Sequence, residues 1–250
     1  MKKEEKKSPE FLNEKILLET VSSYPEHDII LDYDGTLREF AVKPSEAAPT
    51  KEIYSLLEDL ADIENCRIHI VSGRDKETMH SWFSHLPIHL SAEHGFWHKD
   101  PTTSNWQSLT DYDLNWIPFI KEVFEKTAKE LPGSFIETKA STVSWHYRDC
   151  DPQKAEKYSK ELHDFLQKEL HKLPAEILLG KKIIEVRPEG VSKGLYIDKI
   201  SSDKHNSFML CMGDDYTDHD MYKALPQHAM TVHIGDQKAP TAYRLTGPEE

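Results

Sequence analysis

The chain has 250 residues, a length for one or two domains, and 38% of them are hydrophobic, with 9 Phe, 5 Trp and 10 Tyr. That apolar supply can offset the entropy of ordering and excludes a disordered or fibrous chain. Its 31 basic and 44 acidic residues leave a net charge of −13, which excludes a general binder of nucleic acid or anionic membrane but leaves room for a local anion pocket. The longest unbroken apolar run, residues 208–212, is far short of the roughly 20 residues of a membrane span. The opening Met1-Lys2-Lys3-Glu4-Glu5-Lys6-Lys7 lacks the apolar stretch of a signal peptide. Cys66, Cys150 and Cys211 are odd in number and scattered, which speaks against a disulfide framework or a zinc ribbon. A soluble cytosolic protein is the expectation.

In chain order, Phe11, Ile16, Leu17 and Val21 recur at helical spacing and predict a helix over 9–24. A short buried strand follows at 27–32. A loop with Pro44 and Pro49 then leads into a helix carrying Ile53, Leu56, Leu57 and Leu60. A strand at 67–71, a helix at 74–83 and a strand at 88–92 continue the alternation of a parallel α/β sheet, whose ligands collect at the carboxyl ends of strands. The rhythm then changes. A helix from near Leu114 to Leu131, with Pro118 in its first turn, precedes strands at 134–139 and 142–147, a helix at 152–172 and strands at 176–179 and 183–186. Strands in adjacent pairs favour an antiparallel α+β module. From Ser192 the parallel rhythm returns, with a helix, a buried strand at 208–212, a helix and a strand at 229–234. The expected architecture is an α/β core of residues 1–111 and 188–250 with a module inserted at 112–187.

Four polar clusters sit at strand ends. Asp32-Tyr33-Asp34-Gly35-Thr36 places two carboxylates at i and i+2, which repel each other and ask for a cation; all-oxygen ligation suits Mg²⁺. Ser72-Gly73-Arg74 offers a hydroxyl, a glycine amide and a helix start for a phosphate. Lys193, in Gly190-Val191-Ser192-Lys193-Gly194, opens a helix, and Gly213-Asp214-Asp215-Tyr216-Thr217-Asp218 follows a buried strand. Each has a plain reading by itself: an acidic turn, an ordinary Ser-Gly turn, a surface lysine, a helix cap with a favourable dipole. Together, at four strand ends, they point to chemistry. Histidines 80, 85, 89, 94 and 98 straddle loop and strand at spacings that fit no tight zinc pair.

These clusters, in this order, resemble the haloacid dehalogenase superfamily of aspartate-nucleophile phosphatases. With Ala92-Glu93-His94-Gly95, Trp145-His146-Tyr147-Arg148 and Glu185-Val186-Arg187-Pro188-Glu189-Gly190-Val191, the chain is similar to the trehalose-6-phosphate phosphatases from about residue 27 to 245. The resemblance implies a haloacid-dehalogenase-like Rossmannoid parallel-sheet core with a large inserted α+β cap of the C2 type. It implies Mg²⁺-dependent hydrolysis of trehalose 6-phosphate, with a trehalose-6-phosphate synthase as a partner. Asp32 would be the nucleophile and Asp34 the acid and base. Asp32, Asp214 and the backbone carbonyl of Asp34 would hold the metal. Ser72, Gly73 and Lys193 would serve the phosphoryl group, and Asp215 and Asp218 would support metal and lysine. Arg74, Gly95, Glu137, Lys139, Arg148, Lys181 and Glu185 would meet the substrate. By alternation Glu137 and Lys139 share a sheet face, as do His146 and Arg148. Phosphatases of sucrose phosphate or mannosylglycerate phosphate, and a catalytically dead regulatory relative, are the alternatives; the dead relative typically lacks one of Asp32, Asp34, Lys193 or Asp214. The chain departs from the family at Thr217-Asp218-His219-Asp220-Met221-Tyr222, where His219 replaces a usual acidic residue.

Overall fold

The computed structural model describes residues 9–41, 44–202 and 206–250, so the charged opening lies outside the described residues. The chain divides into two compact units, Met1–Leu109 with Ser192–Glu250, and Thr110–Val191.

The first unit begins with β1 (Glu10–Phe11), α1 (Glu14–Val21), β2 (Glu26–Leu31), α2 (Lys51–Ala61), β3 (Cys66–Val71), α3 (Lys76–Phe83), β4 (His89–Ala92), β5 (Trp97–Lys99) and β6 (Gln107–Ser108). Short polar side chains set the helix starts: Asn13, Thr50 and Asp75 accept from the backbone N–H of Ile16, Ile53 and Thr78. This explains why α1 begins at Glu14 rather than at residue 9. It also explains why α3 begins at Lys76 rather than at Arg74.

The second unit contains α4 (Ile117–Glu130), β7 (Phe135–Thr138), β8 (Val143–His146), α5 (Pro152–Leu170), β9 (Ala175–Gly180) and β10 (Ile183–Pro188). Its antiparallel sheet has the order β7-β8-β10-β9. Ile136, Val143, Trp145, Ile184 and Val186 belong to a core with Ile120 and Phe124 of α4 and Leu162 and Leu166 of α5. Glu137, Ser144 and Glu185 occupy adjacent register positions on the other face.

The chain then returns to the first unit with α6 (Lys193–Ser201), β11 (Ser207–Gly213), α7 (His219–Ala224), β12 (Met230–Ile234) and β13 (Tyr243–Leu245). Among the described residues the first unit's nine strands run in the order β1-β13-β12-β11-β2-β3-β4-β5-β6. Pairing is parallel from β1 to β4 and antiparallel at β5 and β6. One face packs Leu31, Ile68 and Leu90 against Leu57 of α2 and Phe83 of α3. The other packs Ile30, Met209 and Cys211 against Tyr196 and Ile197 of α6 and Met221 of α7.

At the amino ends of the central strands, Asp28 is fully buried. It accepts from Arg67 Nε and Nη2, from Ser207 Oγ and, at 3.1 Å, pairs with His69 Nε2. Side chains from β3 and β11 thus converge on one carboxylate of the strand between them. Among the described residues no helix is long and apolar enough to cross a membrane.

Candidate active site

The carboxyl ends of β2 and β11 are adjacent, and the backbone N–H of Asp32 donates to Met212 O at 3.0 Å. Asp32, 4% exposed, therefore lies beside the loop of Asp214, Asp215 and Asp218. Carboxylate oxygens of Asp32, Asp214 and Asp218 come within 4.8 Å of one another. Between them stands Lys193, 3% exposed, donating to Asp32 Oδ1 at 2.5 Å and to Asp218 Oδ1 at 2.7 Å. Burial alone would push this ammonium's pKa down; Asp218 and then Asp32 overcome that and hold it up.

Asp218 has no oxygen to spare. Its Oδ2 accepts the backbone N–H of Asp214 and of Asp215, both at 2.9 Å, while its Oδ1 takes the lysine. Asp215 is exposed and turns its own carboxylate onto the N–H of Tyr216. Asp32 keeps Oδ2 for Thr36 Oγ1 at 3.1 Å. Asp214 packs against Gly35, whose φ of +89° suits glycine and where a Cβ would strike that carboxylate. Burial raises the pKa of Asp32 and that of Asp214, the latter further through the charge of Asp32. Three crowded carboxylates against one ammonium are a site short of positive charge, and the donors are all oxygen. Asp218 is fully buried and already accepts three hydrogen bonds, two of them from backbone N–H groups, so Asp32 and Asp214 are the acids that fit Mg²⁺ better.

The Ser72 segment differs from the sequence expectation in one respect. Asp75 caps α3, so the helix start is occupied by its own chain. Ser72 is buried and its Oγ accepts the N–H of Arg74 at 3.2 Å. Gly73 passes so close to His94 that a Cβ would meet the imidazole ring. Arg74 forks onto Asp34 through Nε and Nη2, both at 2.7 Å, with its guanidinium 4.6 Å from the centre of the Trp82 ring. Gly95, at φ +98°, lets the backbone approach Ser192, the residue before α6; a Cβ there would strike the Ser192 carbonyl. The structure thus places Gly95 behind Lys193.

In the second unit, Glu185 is 4% exposed and its Oε2 accepts from Ser144 Oγ at 2.7 Å. Glu137 pairs with His146 Nε2 at 3.0 Å and approaches Lys139 at 4.0 Å. His146 stacks on Phe135 at 4.5 Å between centroids. Arg148 and Lys181 are exposed in turns, after β8 and between β9 and β10. Because β8 ends at His146, the strand alternation that paired His146 with Arg148 stops before reaching it. Ser144 was not among the expected site residues. Its parity on β8, opposite Glu185 in the register, is the signal that could have found it.

The trehalose-phosphatase family profile matches residues 30–243. The chain belongs to the trehalose-phosphatase family. It is 38% identical over 221 residues to the bifunctional trehalose-6-phosphate synthase/phosphatase of Thermoproteus tenax, covering 87% of this chain and 30% of that one. It is 35% identical over 243 residues to a trehalose-phosphatase of Saccharomyces cerevisiae, covering 88% of this chain and 27% of that one. The chain therefore spans less than a third of the length of these two relatives. Among solved structures, the C-terminal domain of Candida albicans trehalose-6-phosphate phosphatase superimposes with a TM-score of 0.87 at 28% identity, covering 98% of this chain and 95% of that one. Trehalose-phosphatases are phosphoric monoester hydrolases, and the haloacid-dehalogenase-like α/β fold is common to this chain and its structural neighbours.

Proposed function

We propose that this trehalose-phosphatase-family chain hydrolyses trehalose 6-phosphate to trehalose and phosphate through an aspartyl phosphate on Asp32. The observation that carries the reading is the Lys193 bridge between Asp32 and Asp218, with Asp214 gathered beside it. An Asp32 oxygen attacks phosphorus, and the ammonium of Lys193 offsets charge where two anions must meet. Asp34 protonates the departing sugar oxygen and later takes a proton from the water that cleaves the acyl phosphate. Giving that first proton requires Asp34 to relinquish a bond to Arg74, whose guanidinium then becomes available to phosphoryl oxygens or sugar. Ser72 and Gly73 orient the phosphoryl group. Mg²⁺, held by Asp32, Asp214 and the backbone carbonyl of Asp34, supplies positive charge to the phosphoryl oxygens when bound. Excess EDTA is expected to stop phosphate release and added Mg²⁺ to restore it. Full activity in EDTA would remove the metal from this reading.

Selectivity for the sugar falls to the polar sheet face of the second unit, with Glu137, Lys139 and Glu185, and to Arg148 and Lys181 in its turns. Hydrogen bonds from sugar hydroxyls to charged groups are worth roughly 1.5–3 kcal/mol each. Glu185→Ala is therefore expected to cut kcat/KM for trehalose 6-phosphate about ten- to a hundredfold while sparing a small aryl phosphate. Equal losses on both substrates would place Glu185 in the fold rather than in recognition.

The test of the whole proposal is phosphate release from a panel of trehalose 6-phosphate, sucrose 6-phosphate, mannosylglycerate phosphate and glucose 6-phosphate. Trehalose 6-phosphate is expected to lead, and a faster rival would take its place as substrate. Asp32, Asp34, Lys193 and Asp214 are all present, which counts against a catalytically silent regulatory role. The Thermoproteus relative is named for synthase and phosphatase together, which supports a trehalose-6-phosphate synthase as the source of the substrate. A cytosolic setting agrees with the acidic, reduced-cysteine composition.

A further inference from the structure

Ala92-Glu93-His94-Gly95 carries two of the four non-glycine residues with a positive φ among the described residues, Glu93 at +49° and His94 at +56°, and Gly95 follows at +98°. The other two, Asn65 and Lys182, stand singly in turns. Here three consecutive residues hold a conformation that L side chains seldom adopt. Such strain persists only where its surroundings over-determine it, and it gathers at functional sites. The surroundings here are the Ser72 turn and Lys193. The N–H of His94 donates to Ser72 O at 3.1 Å and that of Glu93 to Arg74 O at 2.9 Å. The His94 imidazole lies against Gly73, and the Glu93 side chain is fully buried. Next in the chain, Gly95 meets the carbonyl of Ser192, one residue before Lys193. We propose that Glu93 and His94 are positioning residues: their left-handed backbone pins the Ser72-Gly73 turn and, through Gly95, sets its distance from Lys193.

The inference rests on the reading of Ser72, Gly73 and Lys193 as the groups that hold the phosphoryl oxygens. Ser72 follows β3 and Lys193 opens α6, so no single element fixes both. The Glu93 turn follows β4, the parallel neighbour of β3, and touches each of them. Rotation about the N–Cα bond of Glu93 carries the His94 N–H with it, and rotation about that of His94 carries Gly95. Two successive positive φ values thus aim one N–H at Ser72 O and bring the next residue under Ser192. Gly95 completes the approach because a Cβ there would strike the Ser192 carbonyl. β4 before the turn and β5 after it hold its two ends. A residue at position 94 that refuses the left-handed region must therefore shift one contact or the other, and with it the spacing of the groups that grip phosphate.

The experiment compares His94→Asn, His94→Ala and His94→Val in the full chain. All three remove the imidazole, so differences among them read the backbone: Asn enters the left-handed region readily, Ala less so, and β-branched Val hardly at all. Equilibrium binding of inorganic phosphate in Mg²⁺, kcat/KM for trehalose 6-phosphate and urea unfolding are measured on each. Phosphate affinity is expected to fall in the order Asn, Ala, Val. His94→Val is expected to lose about a hundredfold in kcat/KM relative to His94→Asn, the scale of a misplacement of about 1 Å. A turn that served only the fold would lower stability in that order and leave the phosphate affinities of the folded variants equal; that result overturns the proposal. Should His94→Val fail to fold, Ala against Asn decides it, and equal phosphate affinities overturn it again. A parent chain that binds phosphate without hydrolysing trehalose 6-phosphate would instead refute the substrate reading, and the phosphate series would still decide the role of the turn.

Discussion

Asp32→Asn is expected to release no phosphate from trehalose 6-phosphate while the chain keeps its fold. The amide has the shape of the carboxylate, keeps one oxygen for Lys193 and turns its NH2 to Thr36, whose hydroxyl can accept. Because burial already works against the charged form of Asp32, a neutral side chain costs the fold little. What it cannot do is attack phosphorus, and the loss should be on the order of 10⁴-fold or more, as for nucleophiles that act within a unit. Phosphate release checks the activity and circular dichroism the fold. Turnover within about tenfold of the parent, with reversion by deamidation excluded by mass, would remove the covalent step.

Lys193→Met should be costly in two ways. Catalysis loses the cation beside the nucleophile. Stability also falls, because Asp32 and the fully buried Asp218 are left facing each other without their shared ammonium. Deleting one partner of a buried ion pair typically costs 3–5 kcal/mol, so a loss of about that size is expected in urea unfolding. The double variant Lys193→Met/Asp218→Asn should recover part of the stability and none of the activity. A loss below about 1 kcal/mol in the single variant would mean that water or a rearranged side chain replaces the lysine, and that the bridge is not a structural necessity.

The parallel core was legible because its strands are apolar runs that end in acids or small polar residues, as at Leu31–Asp32 and Val71–Ser72. The short strands were not. Gln107–Ser108 and Tyr243–Leu245 carry no period, and only their neighbours in the sheet make them strands. The polar clusters could be read from sequence, but not their wiring. Lys193 reaches Asp32 across 161 positions, Ser144 reaches Glu185 across 41, and Arg74 reaches Asp34 across 40. Nothing local announces that Asp218 spends an oxygen on Lys193 or that Arg74 rests on an acid. Those facts follow from closure of the sheet, which brings distant loops together.

The Asp28 junction gives the first unit a ruler. A strand free to slide past its neighbours by one residue turns every side chain to the opposite face. In β2 such a slip would withdraw Asp28 from Arg67, His69 and Ser207 at once. Four residues further along the chain, just past the end of β2 and about 13 Å away at 3.3 Å per residue, stands Asp32. The distance from clamp to nucleophile is a fixed length of extended backbone, so the far end of the sheet sets where the attacking oxygen stands relative to Lys193. A change at Asp28, remote from any phosphate, would then be felt as a misplaced nucleophile.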